Sequence, residues 1–269
     1  MSSSKIAAFR RLHASGCFVI PNPWDRGSAI FLQKAGFKAL ASTSAGFAWS
    51  IGRPDNKITV DAVLGHLEDI AHAVDIPLNA DFEDGFAAEP EKVAANVTRA
   101  VATGIAGLSI EDSTRGGGGP LHAFDLAVER IKAARAAIDT TNAGVLLTGR
   151  SEGFLVGRAD LRETIRRLEA YSAAGADVLY APGIKSKGDI AAVVKAVAPK
   201  PVNLLINGNW MTVAEAAELG VRRISVGGAL ARSAWVAFAK AVNEITEQGT
   251  FNALSPAGSA PNLNATFGD

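Results

Sequence analysis

Four short sequences of one kind recur along this chain: Ala35-Gly36, Thr103-Gly104, Ala174-Gly175 and Leu219-Gly220. Each closes an amphipathic stretch and stands just before a short apolar run. A glycine past the end of a helix adopts the left-handed conformation that closes the last turn, so these pairs mark joints from helix to strand. Reading outward from them gives eight strand-like runs, at 17–20, 38–42, 78–82, 105–112, 145–148, 177–180, 201–206 and 223–226. Helical stretches lie between them. Asp25 caps one, Thr59 or Asp61 the next, Glu89-Pro90 opens a third, and others cover 124–138, 160–173, 190–197, 213–219 and 230–245. A βα unit repeated eight times in 269 residues predicts a single-domain (β/α)8 TIM-type barrel, a fold of about 250 residues. The alternative, a doubly wound open sheet, calls for a glycine fingerprint after the first strand, where this chain has Pro21-Asn22-Pro23-Trp24. The barrel is assigned residues 1–248. Residues 249–269, rich in Ser, Pro, Ala, Gly and Asn, are read as a flexible or subunit-crossing tail.

Charge narrows the choice of partner. Twenty-seven basic and 27 acidic residues leave no electrostatic footprint for nucleic acid or an anionic membrane. No run is long enough to span a bilayer, and residues 1–11 lack the apolar core of a signal peptide. The single cysteine, Cys17, lies in an apolar run; it is expected to be a buried thiol in a reducing cytoplasm. A small-molecule pocket is therefore the expected binding site.

In such a barrel chemistry gathers at the C-terminal strand ends, where apolar runs turn polar. The clearest case is Leu78-Asn79-Ala80-Asp81-Phe82-Glu83-Asp84-Gly85. With period two, Leu78, Ala80 and Phe82 share one face, and Asn79, Asp81 and Glu83 the other. Glu111 shares a face with Gly107 and Ser109, and Arg150 with Leu146 and Thr148, so these ends converge on the barrel mouth. Ser44 and Gly46 follow the second strand, Asp55 lies on the long loop after it, and Asn207 follows the seventh strand. Grouped carboxylates without His or Cys favour Mg²⁺, with Mn²⁺ as its substitute. Asp81 is the expected direct ligand, Glu83 and Glu111 hold coordinated waters, and Asp55 stands nearby. Arg150 either neutralises an acid or stabilises a developing oxyanion. Asp84 and Asp112 are expected to cap turns or helices.

Other features carry less. His13, His66, His72 and His122 lack metal-ligand spacing, although His122 can approach the site if its loop closes. Lys185 and Lys187 lie in a loop and not at a strand end, which argues against Schiff-base chemistry. Gly227-Gly228 suits a phosphate grip or a tight turn equally. The run Gly116 to Gly119 suits a mobile lid.

Five segments together resemble the isocitrate lyase and phosphoenolpyruvate mutase superfamily: Pro21-Asn22-Pro23-Trp24-Asp25, Thr43-Ser44-Ala45-Gly46 with Gly52-Arg53-Pro54-Asp55, Asn79 to Gly85, Gly107-Leu108-Ser109-Ile110-Glu111-Asp112, and Thr148-Gly149-Arg150. The resemblance implies a Mg²⁺-dependent barrel that makes or breaks a C–C or P–C bond beside an enolate. It implies a homo-oligomer, dimer or tetramer, with the last helix exchanged between barrels. By position it makes Asp81 the direct metal ligand, Asp55, Glu83 and Glu111 the water-mediated set, Ser44, Ala45 and Gly46 the carboxylate grip, and Arg150 the oxyanion contact. Two loops that such members carry after the fourth strand are missing: the lyases' Lys-Lys/Arg-Cys-Gly-His and a Lys-Thr-Asn-like gate. The corresponding stretch here runs from Ser113 to His122 through four glycines. The expected activity is a Mg²⁺-dependent lyase or decarboxylase of a small 2-oxocarboxylate, with Arg150, Glu111 and Asp55 catalytic and Ser44, Ala45, Gly46, Arg150 and Asn207 holding substrate. The alternatives are phosphoenolpyruvate mutase or phosphonopyruvate hydrolase chemistry, or a barrel that binds Mg²⁺ and a 2-oxoacid without turnover.

Overall fold

Short, buried, β-branched and leucine-rich runs form the parallel strands of this protein, in a computed structural model that describes residues 2–114, 119–255 and 262–268. Among the described residues there are eight: β1 (Phe18–Ile20), β2 (Leu40–Ala41), β3 (Leu78–Asp81), β4 (Gly107–Glu111), β5 (Leu146–Arg150), β6 (Val178–Tyr180), β7 (Val202–Leu205) and β8 (Arg223–Ser225). All pair in parallel in the order β1-β8-β7-β6-β5-β4-β3-β2. The remaining seam is closed at its upper end, where Ala41 N–H donates to Pro21 O at 3.0 Å and the Asn22 side-chain amide donates to Ser42 O at 2.9 Å. The result is the (β/α)8 barrel that the glycine joints foretold. Gly36, Gly104, Gly175 and Gly220 all carry positive φ.

The helices are α1 (Ser2–Ala14), α2 (Arg26–Lys34), α3 (Ser44–Ser50), α4 (Val60–Ala73), α5 (Pro90–Ala102), α6 (Phe124–Thr140), α7 (Leu161–Ala173), α8 (Lys187–Ala196), α9 (Val213–Glu218), α10 (Ala229–Gln248) and α11 (Leu263–Phe267). The segment 44–50 follows the second strand without a helical pattern of its own. Thr43 makes it a helix by accepting from the Gly46 amide at 3.3 Å, a cap that depends on only two residues. Apolar side chains such as Leu67, Ile70, Val93, Val97, Ile131 and Leu168 seal the ring of helices against the strands.

Register sets where the polar residues end up. Asp81 is level with Ser109 and Thr148, whereas Glu111 is level with Arg150 and, further round, with Tyr180, Asn203 and Arg223. The stagger that closes a barrel makes the second rung descend, from the C-terminal ends of β4, β5 and β6 to the first residue of β8. The ends of the chain differ in packing. Of α10 only Ala231 is buried, while Trp235, Val236 and Phe238 are 44%, 63% and 59% exposed. In the tail, α11 lies on α2 of the same chain, Lys34 donating to Thr266 O at 2.5 Å; residues 256–261 fall outside the described residues. Cys17 is half-buried. Among the described residues, no helix is long and apolar enough to cross a membrane.

Candidate active site

A cleft opens among the C-terminal strand ends and is lined by Asn22, Ser44, Ala45, Asp55, Asp81 and Arg150, with Tyr180, Asn203, Arg223 and Ser225 deeper inside. Arg150 is its electrostatic centre. Its Nη1 lies 3.2 Å from Asp81 Oδ1 and 3.2 Å from Glu111 Oε2, while its Nε donates to Glu152. The guanidinium also sits over the Tyr180 ring, 5.2 Å from its centroid. Asp81 is held from the opposite side: Oδ2 accepts the Ser44 amide at 3.0 Å, and its own N–H donates to Ser42 Oγ at 2.9 Å.

These contacts leave acid in excess, with Asp55, Asp81, Glu111 and Glu152 around one guanidinium. Burial pushes the Glu111 carboxyl up to about 8 despite Arg150, and the neighbouring Glu152 and Asp81 charges add to the rise. Burial likewise raises Glu152. Asp55 rises through burial and then through the Asp81 charge beside it. A divalent cation between Asp55 and Asp81 would remove that mutual penalty, so the donor set fits Mg²⁺. Among the described residues, no three His, Cys, Asp or Glu side chains converge to hold a metal unaided. This suits an ion that keeps most of its waters.

The structure separates the expected site residues into those that meet in the cleft and those that do not. Ser44, Ala45, Asp55, Asp81 and Arg150 line it, and Glu111 touches Arg150 from the neighbouring strand at the same level. Glu83 takes a left-handed φ of 46°, which ends the alternation at Phe82. Its side chain is buried away from the cleft lining, and its carbonyl accepts the Glu111 amide at 3.0 Å. Gly46 is buried behind the lining; a Cβ there would lie 2.7 Å from Thr43 Cγ2 and 2.8 Å from Trp24 Cβ. Its amide is taken by Thr43 and that of Ser44 by Asp81, leaving Ala45 N–H the amide of this segment best placed to receive an anion. Asn207 lies outside the cleft, in a neighbouring groove with Arg232 and Ser233.

Asp84 accepts the Phe86 amide at 2.9 Å and caps its turn as expected. Asp112 does not act as a cap. It accepts from the Glu152 amide at 2.7 Å, Tyr171 Oη at 2.7 Å and Arg167 Nη1 at 3.0 Å, and so ties β4 to α7 and fixes Glu152 in place. The Gly227 amide donates to Asn22 Oδ1 at 2.9 Å, as does Val226, so this pair of glycines makes a tight turn around Asn22. His122 stays buried at the root of its loop, its N–H donating to Asp112 O at 2.8 Å. His66 stacks on Phe47 with centroids 3.8 Å apart. Of the glycine run, residues 116–118 fall outside the described residues.

Several cleft residues escaped the sequence reading. Asn22 had a signal, being a lone amide between two prolines at the end of β1. Glu152, which meets Arg150 beside the cleft, lies two residues beyond it and past the end of the strand's alternation. Asn203 and Arg223 lie at the beginning of their strands, where a search of strand ends does not look.

A protein-family model described as phosphoenolpyruvate phosphomutase matches residues 9–246. A crystal structure from Burkholderia cenocepacia J2315, assigned provisionally as a lyase/mutase, superposes with a TM-score of 0.95 at 47% identity, covering 100% of this chain and 98% of that one. Oxaloacetate acetylhydrolase in complex with the product oxalate superposes with a TM-score of 0.86 at 29% identity, covering 98% and 94%. The oxaloacetate decarboxylase of Paraburkholderia xenovorans (strain LB400) is 26% identical over 227 residues, 81% of this chain and 73% of that one.

Proposed function

The chain belongs to the phosphoenolpyruvate mutase and isocitrate lyase superfamily, and from that premise we propose that it is a Mg²⁺-dependent lyase or decarboxylase that cleaves a C–C bond in a small 2-oxocarboxylate. The observation that carries this reading is Arg150, which stands 3.2 Å from Asp81 at the cleft wall beside the helix that begins at Ser44. Asp81 would hold the ion directly, and Asp55 and Glu111 around it would hold its waters. When bound, Mg²⁺ supplies positive charge to the keto and carboxylate oxygens of the substrate, a Lewis-acid contribution of several kcal/mol.

The remaining roles fall to the chain. The Ala45 amide and Ser44 hydroxyl orient the substrate carboxylate, and Arg150 faces the oxygen on which enolate charge develops when the bond beyond the adjacent carbon breaks. Tyr180 holds the guanidinium plane from below. Names of similar proteins support this choice, since the acetylhydrolase and the decarboxylase both act on oxaloacetate. The family model's own description favours a second reading, P–C bond chemistry at the same enolate. Turnover of oxaloacetate, methylisocitrate and phosphonopyruvate with Mg²⁺ separates the two. Asp81→Ala should abolish both turnover and its Mg²⁺ dependence; turnover that survives this change sinks the proposal.

The protein would work as a homo-oligomer in the cytoplasm. Trp235, Val236 and Phe238 form an exposed apolar stretch of α10 that one barrel leaves uncovered. Light scattering of Phe238→Glu against the parent chain tests this, and an unchanged mass would refute it.

A further inference from the structure

The rung that carries Glu111 and Arg150 at the mouth continues through Tyr180 and Asn203 to Arg223 at the floor of the cleft. Arg223 is only 3% exposed. Its contacts are all neutral: Nε donates to Asn203 Oδ1 at 2.8 Å, Nη2 to Thr148 Oγ1 at 3.1 Å, and Nη1 faces His13 Nε2 at 3.4 Å. His13 is an acceptor there because its Nδ1–H is engaged by Phe9 O at 2.8 Å. Among the described residues, no carboxylate pairs with Arg223. The other buried arginines differ. Arg167 pairs with Asp112 and Glu163, and Arg130, though its hydrogen bonds go to the carbonyls of Asp84, Ala87 and Glu111, feels the negative charges of Asp84, Asp112 and Glu111 around it.

A guanidinium keeps its charge in proteins and has five N–H donors, whereas here three neutral acceptors face it. Burying a charge without a counter-ion is costly, and the cost is relieved when an opposite charge arrives. The cleft supplies the route, since Arg223, Ser225 and Tyr180 all line it and the two hydroxyls can turn to donate. We propose that the floor of the cleft binds one small anion, of halide or carboxylate size, on the Arg223 guanidinium. The site lies beneath the rim assigned to metal and enolate and does not depend on that assignment. Its occupant is either a free ion from solution or a second carboxylate of an organic acid seated at the rim.

Thermal unfolding of the full chain tests this in buffer free of divalent cations, with chloride replacing the bulkier gluconate at constant ionic strength, and separately with oxaloacetate. Binding to the folded state alone raises Tm, by about 3–6 °C at ten times the dissociation constant for a chain of this size. Chloride and oxaloacetate shifts that compete identify the second carboxylate as the occupant; additive shifts identify a free ion. Asn203→Asp places a carboxylate on the atom that already accepts from Arg223 Nε. That variant should unfold higher than the parent chain without added anion and respond less to either ligand. Arg223→Met should also lose the response, and it decides the matter where the Asn203 variant does not fold. A parent chain whose Tm is flat in both ligands, or variants that shift as much as the parent, overturns the proposal.

Discussion

Replacing Arg150 by Met removes the one cation shared by Asp81, Glu111 and Glu152 and leaves a side chain of similar length. The Arg150 side chain is 15% exposed and those of Glu111 and Glu152 are 9% and 7%, so water screens these pairs weakly. Breaking a buried ion pair from one side costs about 3–5 kcal/mol, because the partner charge stays behind. The stranded carboxyls can escape by protonation, which gives the loss a pH dependence of known sign. Glu111 already titrates near 8 when folded, against a reference of 4.5, so the folded state binds the extra proton and folding weakens as pH rises through that window. Without the guanidinium that raised value moves higher still. Urea unfolding without divalent metal should therefore show a loss of about 3–5 kcal/mol at pH 8.5 and a distinctly smaller one at pH 5.5. Arg150→Lys keeps the charge and should restore most of the stability, though not the fork that spans Asp81, Glu111 and Glu152. A loss below about 1 kcal/mol, or one equal at both pH values, would refute the reading of Arg150 as the shared counter-ion.

Gly46→Ala should destabilise the chain by about 1–3 kcal/mol in chemical unfolding, since the added methyl meets Thr43, Trp24 and Ala231 at 2.7, 2.8 and 3.2 Å. It should weaken substrate binding as well by displacing the α3 amides, and a variant of parental stability and KM would show the packing to be slack. His13, held neutral chiefly by burial and then by the Arg223 charge, has its pKa lowered to about 3. The unfolded chain takes up that proton near 6.5, so stability is full above 6.5 and falls as pH drops toward 3, by up to about 1.4 kcal/mol per pH unit from this group. His13→Gln should flatten that part of the acid unfolding profile; an unchanged slope refutes the assignment.

Strand alternation and the helix-ending glycines were enough to place eight strands, because both follow from local backbone chemistry. They also placed Asp81, Glu111 and Arg150, each the last residue of its strand. The same rule fails one step further on. Glu83 breaks the alternation because its backbone turns left-handed, and no local composition announces that turn as clearly as glycine does at 85. Gly46 reads like a ligand-gripping glycine, yet what demands it is the approach of Thr43, three positions before it, together with Trp24 and Ala231, residues 22 positions before it and 185 after it. Arg223 exposes the deeper limit. Reading strands one at a time treats their C-terminal ends as one level, whereas the stagger of a closed barrel carries a single rung from Glu111 at the rim down to Arg223 at the floor. A strand-initial arginine looks like a solvated flank until register places it beneath Arg150. The cleft is thus acid-rich above and cationic below, a polarity that only the pairing of strands distant in sequence creates.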